Sequence, residues 1–113
     1  MDGCIFCRVA DGQIPAEKVL ENELFVAFRD IHPKALQHLL VIPREHIQSL
    51  SELSAWQHCE GHKLLEFIVD AAREVGIADT GYRVLTNVGP DAGQEIQHMH
   101  FHILGGEDLG DFR

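Results

Sequence analysis

The sequence predicts an α+β domain, a meandering antiparallel sheet of about five strands with one long helix on a face and a short helical turn near the amino terminus. Three observations predict it. Short runs rich in Val, Ile, Leu and Phe follow one another across brief polar breaks that contain Gly or Pro. One long stretch, from about Ser54 to Val75, has its apolar residues three or four apart. No repeat, low-complexity stretch or Ser/Gly-rich linker divides the 113 residues, so one domain is expected over residues 1–113.

At the amino terminus Cys4-Ile5-Phe6-Cys7 is followed by Arg8-Val9-Ala10-Asp11, expected as a short helical turn. Gly12 and Pro15 punctuate the passage into Lys18-Val19-Leu20-Glu21, an edge-like strand. Asn22-Glu23 offers a tight turn, and Leu24-Phe25-Val26-Ala27-Phe28 reads as the hairpin partner, closed by Asp30 and His32-Pro33. Leu39-Leu40-Val41-Ile42 is an uninterrupted apolar run stopped by Pro43, the pattern of a central strand covered on both faces. The principal helix carries Trp56, Leu64, Phe67, Ile68, Ala71, Ala72 and Val75 on one side. Ser54 with Gln57 three residues later matches a capping box, and Gly76 a left-handed carboxy-terminal cap. Tyr82 to Asn87 then reads as a strand, Gly89 to Gly93 as a turn, and Gln97 to Leu104 as the last strand.

Composition narrows the function classes. With 18 acidic and 9 basic side chains, the formal charge is −9, which excludes a long nucleic-acid backbone as partner but not a single small anion. No apolar run approaches the ~18 residues of a membrane span, and Met1-Asp2-Gly3-Cys4 lacks the features of a signal peptide, so the cytoplasm is expected and no membrane partner. Three cysteines do not make a disulfide framework; the C-x-x-C points to metal binding or, more weakly, to redox chemistry. A domain this small gains useful stability from a metal clip or a subunit interface.

The chain holds 8 histidines, and His98-Met99-His100-Phe101-His102-Ile103-Leu104 alternates three of them with apolar residues. On a strand that period puts the imidazoles on one face and Met99, Phe101 and Ile103 on the other, toward the core. A lone histidine there would be bland, but three neighbours crowd groups that repel when protonated and cost energy when desolvated. Two chemistries suit the row: imidazoles that bind a transition metal with an activated water, or one imidazole that attacks phosphorus while its neighbours hold the phosphate oxygens. The loop Gly89-Pro90-Asp91-Ala92-Gly93-Gln94 just upstream, whose backbone N–H groups are placed to face an anion, favours the second.

With these residues assembled, the chain resembles the histidine-triad (HIT) family, in the branch of small nucleotide-binding hydrolases that cleave purine nucleoside phosphoramidates. The resemblance covers almost the whole chain. Its anchors are Cys4-Ile5-Phe6-Cys7, Ile14-Pro15, Ala27-Phe28-Arg29-Asp30-Ile31, His38 through Pro43, Gly81-Tyr82-Arg83, Asn87, Gly93-Gln94-Glu95 and His98 through Gly106. It implies the HIT-like α+β fold and a catalytic triad of His98, His100 and His102. His100 is the implied nucleophile, forming a nucleotidyl-histidine that water hydrolyses, and His102 contacts the phosphate. Asn87, Gly93, Gln94 and Glu95 would complete the phosphate clamp. Asp30 would accept the ribose hydroxyls, Phe28, Ile31, Ile5, Phe6 and Val9 would form the base slot, and Arg29 its rim.

By the same resemblance Cys4, Cys7, His46 and His98 form a Cys₂His₂ zinc site, closed and therefore structural. No organic cofactor is implied, and the partner is a second copy of the chain in a homodimer. His38 is expected to orient neighbouring triad groups, His58 and His62 to sit on the solvated helix face, and Cys59 to be a small buried residue. Only Glu107 to Arg113 follow Leu104-Gly105-Gly106, a short tail that leaves the leaving group open. Glu95 stands where some relatives carry a serine. Three other readings stand beside phosphoramidate cleavage: a nucleotide-binding dimeric interaction module with incidental turnover, a dinucleoside polyphosphate hydrolase, and a zinc hydrolase that uses the triad as ligands.

Overall fold

The computed structural model describes residues 3–56 and 60–112. Its elements in order are α1 (Ile5–Ala10), β1 (Lys18–Glu21), β2 (Phe25–Arg29), β3 (Gln37–Pro43), a 3-10 segment (Leu50–Ala55), α2 (Gly61–Glu74), β4 (Tyr82–Leu85) and β5 (Phe101–Gly105), with a short 3-10 turn at Pro90–Ala92. The five strands form one antiparallel sheet in the order β1-β2-β3-β5-β4.

Period-two alternation splits the sheet residues between two apolar layers. Phe25, Ala27, Leu39, Val41 and Ile103 pack with Leu64, Phe67, Ile68, Ala71 and Ala72 of α2. Val26, Phe28, Leu40 and Ile42 face the other way, against Phe6, Val9 and Ala10 of α1. The continuous apolar run of β3 is thus the central strand, covered on both faces as its sequence requires. Register aligns Phe28 with Leu40 and Leu40 with His102, so these three make one row across the α1 face.

Several boundaries differ from the sequence reading. α1 starts before Arg8, because Cys4 acts as its N-cap: the Cys7 N–H donates to Cys4 Sγ at 3.4 Å. The long helix begins at Gly61, not at Ser54. Upstream, Ser49 Oγ accepts the Ser51 N–H and starts a separate 3-10 segment, a local alternative that serine side chains offer the backbone. Trp56 is extended after it and buries its ring edge-on to Phe25. Gln57, the second half of the expected capping box, lies outside the described residues, as do His58 and Cys59. His62 is on the solvated face of α2 beside Glu66. The other end is as expected: Gly76 takes φ 79°, and Ile77 N–H reaches back to Ala72 O. The last strand is shorter than predicted, since Gln97 to His100 run into β5 without pairing in the sheet. No helix among the described residues is long and apolar enough to cross a membrane.

Candidate functional site

A cleft of about 460 Å³ opens over the α1 face of the sheet. Ile5, Phe6 and Val9 of α1 and Phe28 and Leu40 of the sheet form its apolar wall, while Asp30, Asn87, Gly93, Glu95, His100 and His102 bring polar groups to it. A second, more open depression between the start of β4 and Gly106–Gly110 is lined by no histidine or cysteine.

His100 sits in this cleft, 8% exposed, with the edge of Phe6 against it. Its Nδ1–H donates to the carbonyl of His98 at 2.8 Å, so Nε2 carries the free lone pair. Thr86 Oγ1–H donates to the His100 carbonyl at 2.7 Å and holds the main chain at that point. His102 follows on β5, its ring centroid 5.3 Å from that of His100. Burial, with His100 and His38 beside it, lowers its pKa to about 4, so the ring is neutral at pH 7.

The hydrogen bonds of His38 fix which nitrogen of His102 is protonated. His38 Nδ1 accepts the Lys34 N–H at 3.0 Å, so the proton of a neutral ring is on Nε2, which donates to His102 Nδ1 at 2.9 Å. His102 is left with an Nε2–H donor. Burial also pushes the pKa of His38 down, against the attraction of Asp30. Asp30, His38 and His102 come close enough to suggest a metal group. The backbone donor at Lys34 opposes that, because it keeps the proton on the nitrogen that would have to coordinate.

His98 is fully buried, its ring nearly perpendicular to that of Phe6 with centroids 6.1 Å apart. This corrects its place among the catalytic residues: it does not line the cleft, and both ring nitrogens are engaged. Nε2–H donates to Pro43 O at 2.8 Å, and Nδ1 faces Cys4 Sγ at 3.3 Å and Cys7 Sγ at 3.5 Å. Its contribution to the cleft is the carbonyl that orients His100. His46 Nδ1 is 3.3 Å from Cys7 Sγ, and the four ligand atoms all lie within 4.8 Å of one another.

The donor set fits zinc. Ligands at about 2.3 Å for sulfur and 2.0–2.1 Å for nitrogen in a tetrahedron stand roughly 3.5 Å apart, close to the sulfur–nitrogen distances found. The Pro43 carbonyl leaves His98 Nδ1 unprotonated, as a ligand must be. Without a metal, burial and the neighbouring Cys4 sulfur push the Cys7 thiol up to about 11, and a bound cation would displace that proton.

Gln94 is a second correction. Its side chain does not line the cleft: Oε1 accepts the Gly89 N–H, and Nε2 donates to the carbonyls of Gln48 and Ile96. The Gly93 and Gln94 N–H groups also bond within the loop, to Pro90 O and Gly89 O. Three N–H groups of the loop, those of Gly89, Gly93 and Gln94, are therefore used within it. Arg29 lines the rim, tied to Glu17 at 2.7 Å and Gln37 at 2.6 Å. Ile31 lines the cleft but is 86% exposed. The sequence reading missed Ile14, Leu40, Ile96 and Lys34 on the wall. For Leu40 a signal was present: it stands two residues after His38 on one strand and so shares its face.

A model of the HIT domain matches residues 11–109. The chain belongs to the HIT family. Among its HIT relatives, a purine nucleoside phosphoramidase of Escherichia coli K12 is 37% identical over 106 residues, covering 94% of this chain and 89% of the relative. A HIT-like protein of Helicobacter pylori named as uncharacterized is 44% identical over 103 residues, covering 91% and 96%. The structure of a histidine triad protein from Clostridium difficile superposes with a TM-score of 0.92 at 41% identity, covering 100% of this chain and 97% of that one. A HIT family hydrolase from Legionella pneumophila superposes at 0.89 with 38% identity, over 95% and 96% of the chains. The HIT model match begins just after α1, whereas the C. difficile superposition includes it.

Proposed function

We propose that the protein is a nucleotidyl hydrolase that cleaves purine nucleoside 5′-phosphoramidates at the α-phosphorus through a nucleotidyl-His100 intermediate. The observation that carries this reading is the bond of His100 Nδ1 to the His98 carbonyl, which leaves Nε2 to a cleft that is apolar at one end and polar at the other. The apolar end, from Ile5 to Leu40, has the character of a slot for a flat base and offers few polar groups to read its edges, which favours loose purine selection. Asp30 would hold the sugar hydroxyls, and Asn87 and the His102 Nε2–H, on the same cleft wall, would hold the phosphate.

In the proposed reaction His100 Nε2 attacks phosphorus in line, the P–N bond breaks with its electron pair going to nitrogen, and the departing amine takes up a proton from solvent. Water then attacks the phosphorus, the P–Nε2 bond breaks with its electron pair returning to the imidazole, and the water's proton passes to solvent, which releases the nucleoside monophosphate and free His100. Neutral His102 holds a phosphate oxygen by hydrogen bond; as a ring unprotonated at pH 7 it is not a strong acid for the amine. Cys4, Cys7, His46 and His98 would hold zinc, which with four protein ligands supplies a cross-link and no open coordination position. It would fasten α1, and with it Ile5, Phe6 and Val9, to the sheet. A second copy of the chain is proposed to cover the β4 edge, where Val84 is exposed.

A second reading has one observation of its own. Lys34 lines the cleft and makes no ion pair among the described residues, which favours an additional anionic group such as the polyphosphate of a dinucleoside substrate. Incubation with α-labelled adenosine 5′-phosphoramidate followed by a quench tests the main reading. Acid-labile label on the wild-type protein and none on His100→Ala is expected; nucleotide binding with neither adduct nor product would leave an interaction module instead. A panel with amine and polyphosphate leaving groups separates the two substrates.

A further inference from the structure

We propose that Asp30 is a positioning residue for His102, acting through His38, in addition to the sugar contact assigned to it above. The proposal rests on the nucleotidyl-transfer reading and deepens it. Asp30 is tied to His38 twice. Its N–H donates to the His38 carbonyl at 3.0 Å, and its Oδ2 stands 3.5 Å from His38 Nε2. The other carboxylate oxygen, Oδ1, accepts the His32 N–H at 2.8 Å, which fixes the plane of the group.

The buried His38 ring is therefore addressed from both sides. A donor, the Lys34 N–H, faces Nδ1, and two acceptors, Asp30 Oδ2 and His102 Nδ1, face Nε2. A neutral imidazole has one proton to place. On Nε2 it bonds to His102 Nδ1 and puts its positive end near Asp30 Oδ2; on Nδ1 it would set N–H against N–H at Lys34 and a lone pair against the carboxylate at Asp30. Asp30 thus helps select the His38 tautomer that donates to His102, and that choice keeps His102 Nδ1 as acceptor and Nε2–H as the donor toward phosphate. An acid on the cleft wall, with its side chain 19% exposed, reaches the reacting centre through a histidine whose side chain is 2% exposed.

Asp30→Asn is the informative change. If the amide oxygen keeps the His32 N–H, the NH₂ group falls at the Oδ2 position and meets the His38 N–H donor to donor. The difficulty is that the same change removes a sugar contact, so substrate and variant must be crossed. Wild type and Asp30→Asn are compared on adenosine 5′-phosphoramidate and on its 2′,3′-dideoxy analogue, which has no hydroxyl for Asp30 to hold. On the dideoxy substrate the variant is expected to form the His100 adduct roughly tenfold more slowly in single turnover, with its dissociation constant within about twofold of wild type. Equal adduct rates on that substrate would overturn the proposal and leave Asp30 a sugar ligand alone.

Nitrogen-15 spectra of labelled histidine give a readout that needs no turnover and also serves if the variant does not fold. Wild-type His38 is expected with Nε2 protonated and Nδ1 not, and His102 likewise; the reverse tautomer of His38 overturns the proposal. Absence of any adduct on wild type with the ribose substrate would sink the reaction reading instead, while the His38 tautomer, compared between wild type and Asp30→Asn, still decides the role of Asp30: an unchanged tautomer population in the variant overturns the proposal.

Discussion

The His100 Nδ1–H points at the main-chain oxygen of His98, 2.8 Å away, and this bond ties the middle histidine of the row to the first. His98 is turned toward the cysteines and His100 toward the cleft, yet the orientation of one ring depends on where the backbone of the other is held. Replacement of His100 by Ala removes the nucleophile and leaves a cavity beside Phe6. Turnover should fall by at least roughly 10³-fold while nucleotide still binds, because the apolar slot and Asp30 are untouched. Stopped assays paired with equilibrium binding check it; substantial turnover by the variant would remove His100 from the chemistry.

The same bond sets the expected consequence of metal loss. If zinc joins Cys4, Cys7, His46 and His98, a chelator strong enough to strip it should lower the thermal midpoint, by roughly 4 °C for each kcal/mol of lost stabilisation. Activity should decline with the folded fraction rather than at once, since the cation has no vacant position for substrate. Cys7→Ser should lower both metal content and midpoint. Elemental analysis and calorimetry on the purified protein decide the matter, and a protein that purifies without bound metal and keeps its midpoint in chelator would refute the clip.

pH dependence follows from His102. Its folded pKa of about 4 lies below the ordinary value of about 6.5, so the unfolded chain binds the proton more readily than the folded one. The contribution to stability is full above about pH 6.5, declines as pH falls toward 4, and is gone below that; it amounts to roughly 1–3 kcal/mol. The groups facing the ring are His100 and His38, with Asp30 favouring and Lys34 opposing its protonation. His102→Gln, which keeps an amide donor, should flatten this part of the stability profile in urea melts at pH 4.5, 5.5 and 7. Activity should show no loss on raising pH through 6.5, and such a loss would mean that His102 works as an imidazolium.

How much of this was legible in the sequence depends on the range of the forces involved. Alternation along His98 to Leu104 foretold which side chains share a face, and the fold obeys it: Met99 and Ile103 are in the α2 core while His100 and His102 line the cleft. That reading survived even though only Phe101–Gly105 pairs as strand, because extended chain keeps the same alternation. The face alone did not separate His98 from its neighbours; that takes the Pro43 carbonyl and the cysteines, brought in from 55 and 91 or more residues away. The misplaced helix start has a local cause, a Ser49 side chain that caps a tighter turn before Trp56. Gln94 looked like a phosphate ligand because its glycine-rich neighbourhood suggests one, whereas its amide is taken up by backbone, at Gly89 and Ile96 close by in the chain and at Gln48, which comes near only after folding.

Arg44 follows Pro43 at the end of β3 and draws three segments together. Nη1 donates to Ala10 O at the end of α1 at 2.7 Å, Nε to Asn22 O at 2.8 Å, and Nη2 meets Glu21 Oε1 at 3.0 Å. Two of these bonds end on backbone carbonyls, and a cation at the carboxy end of α1 is also favoured by the peptide dipoles there. Arg44→Met should cost about 1–3 kcal/mol in denaturant melts. Because α1 carries Ile5, Phe6 and Val9, loosening that end should also raise KM by several fold. His100 keeps its own anchors at His98 and Thr86, so kcat should change little. A matched fall in kcat with KM unchanged would show instead that Arg44 supports the histidine row rather than the base slot.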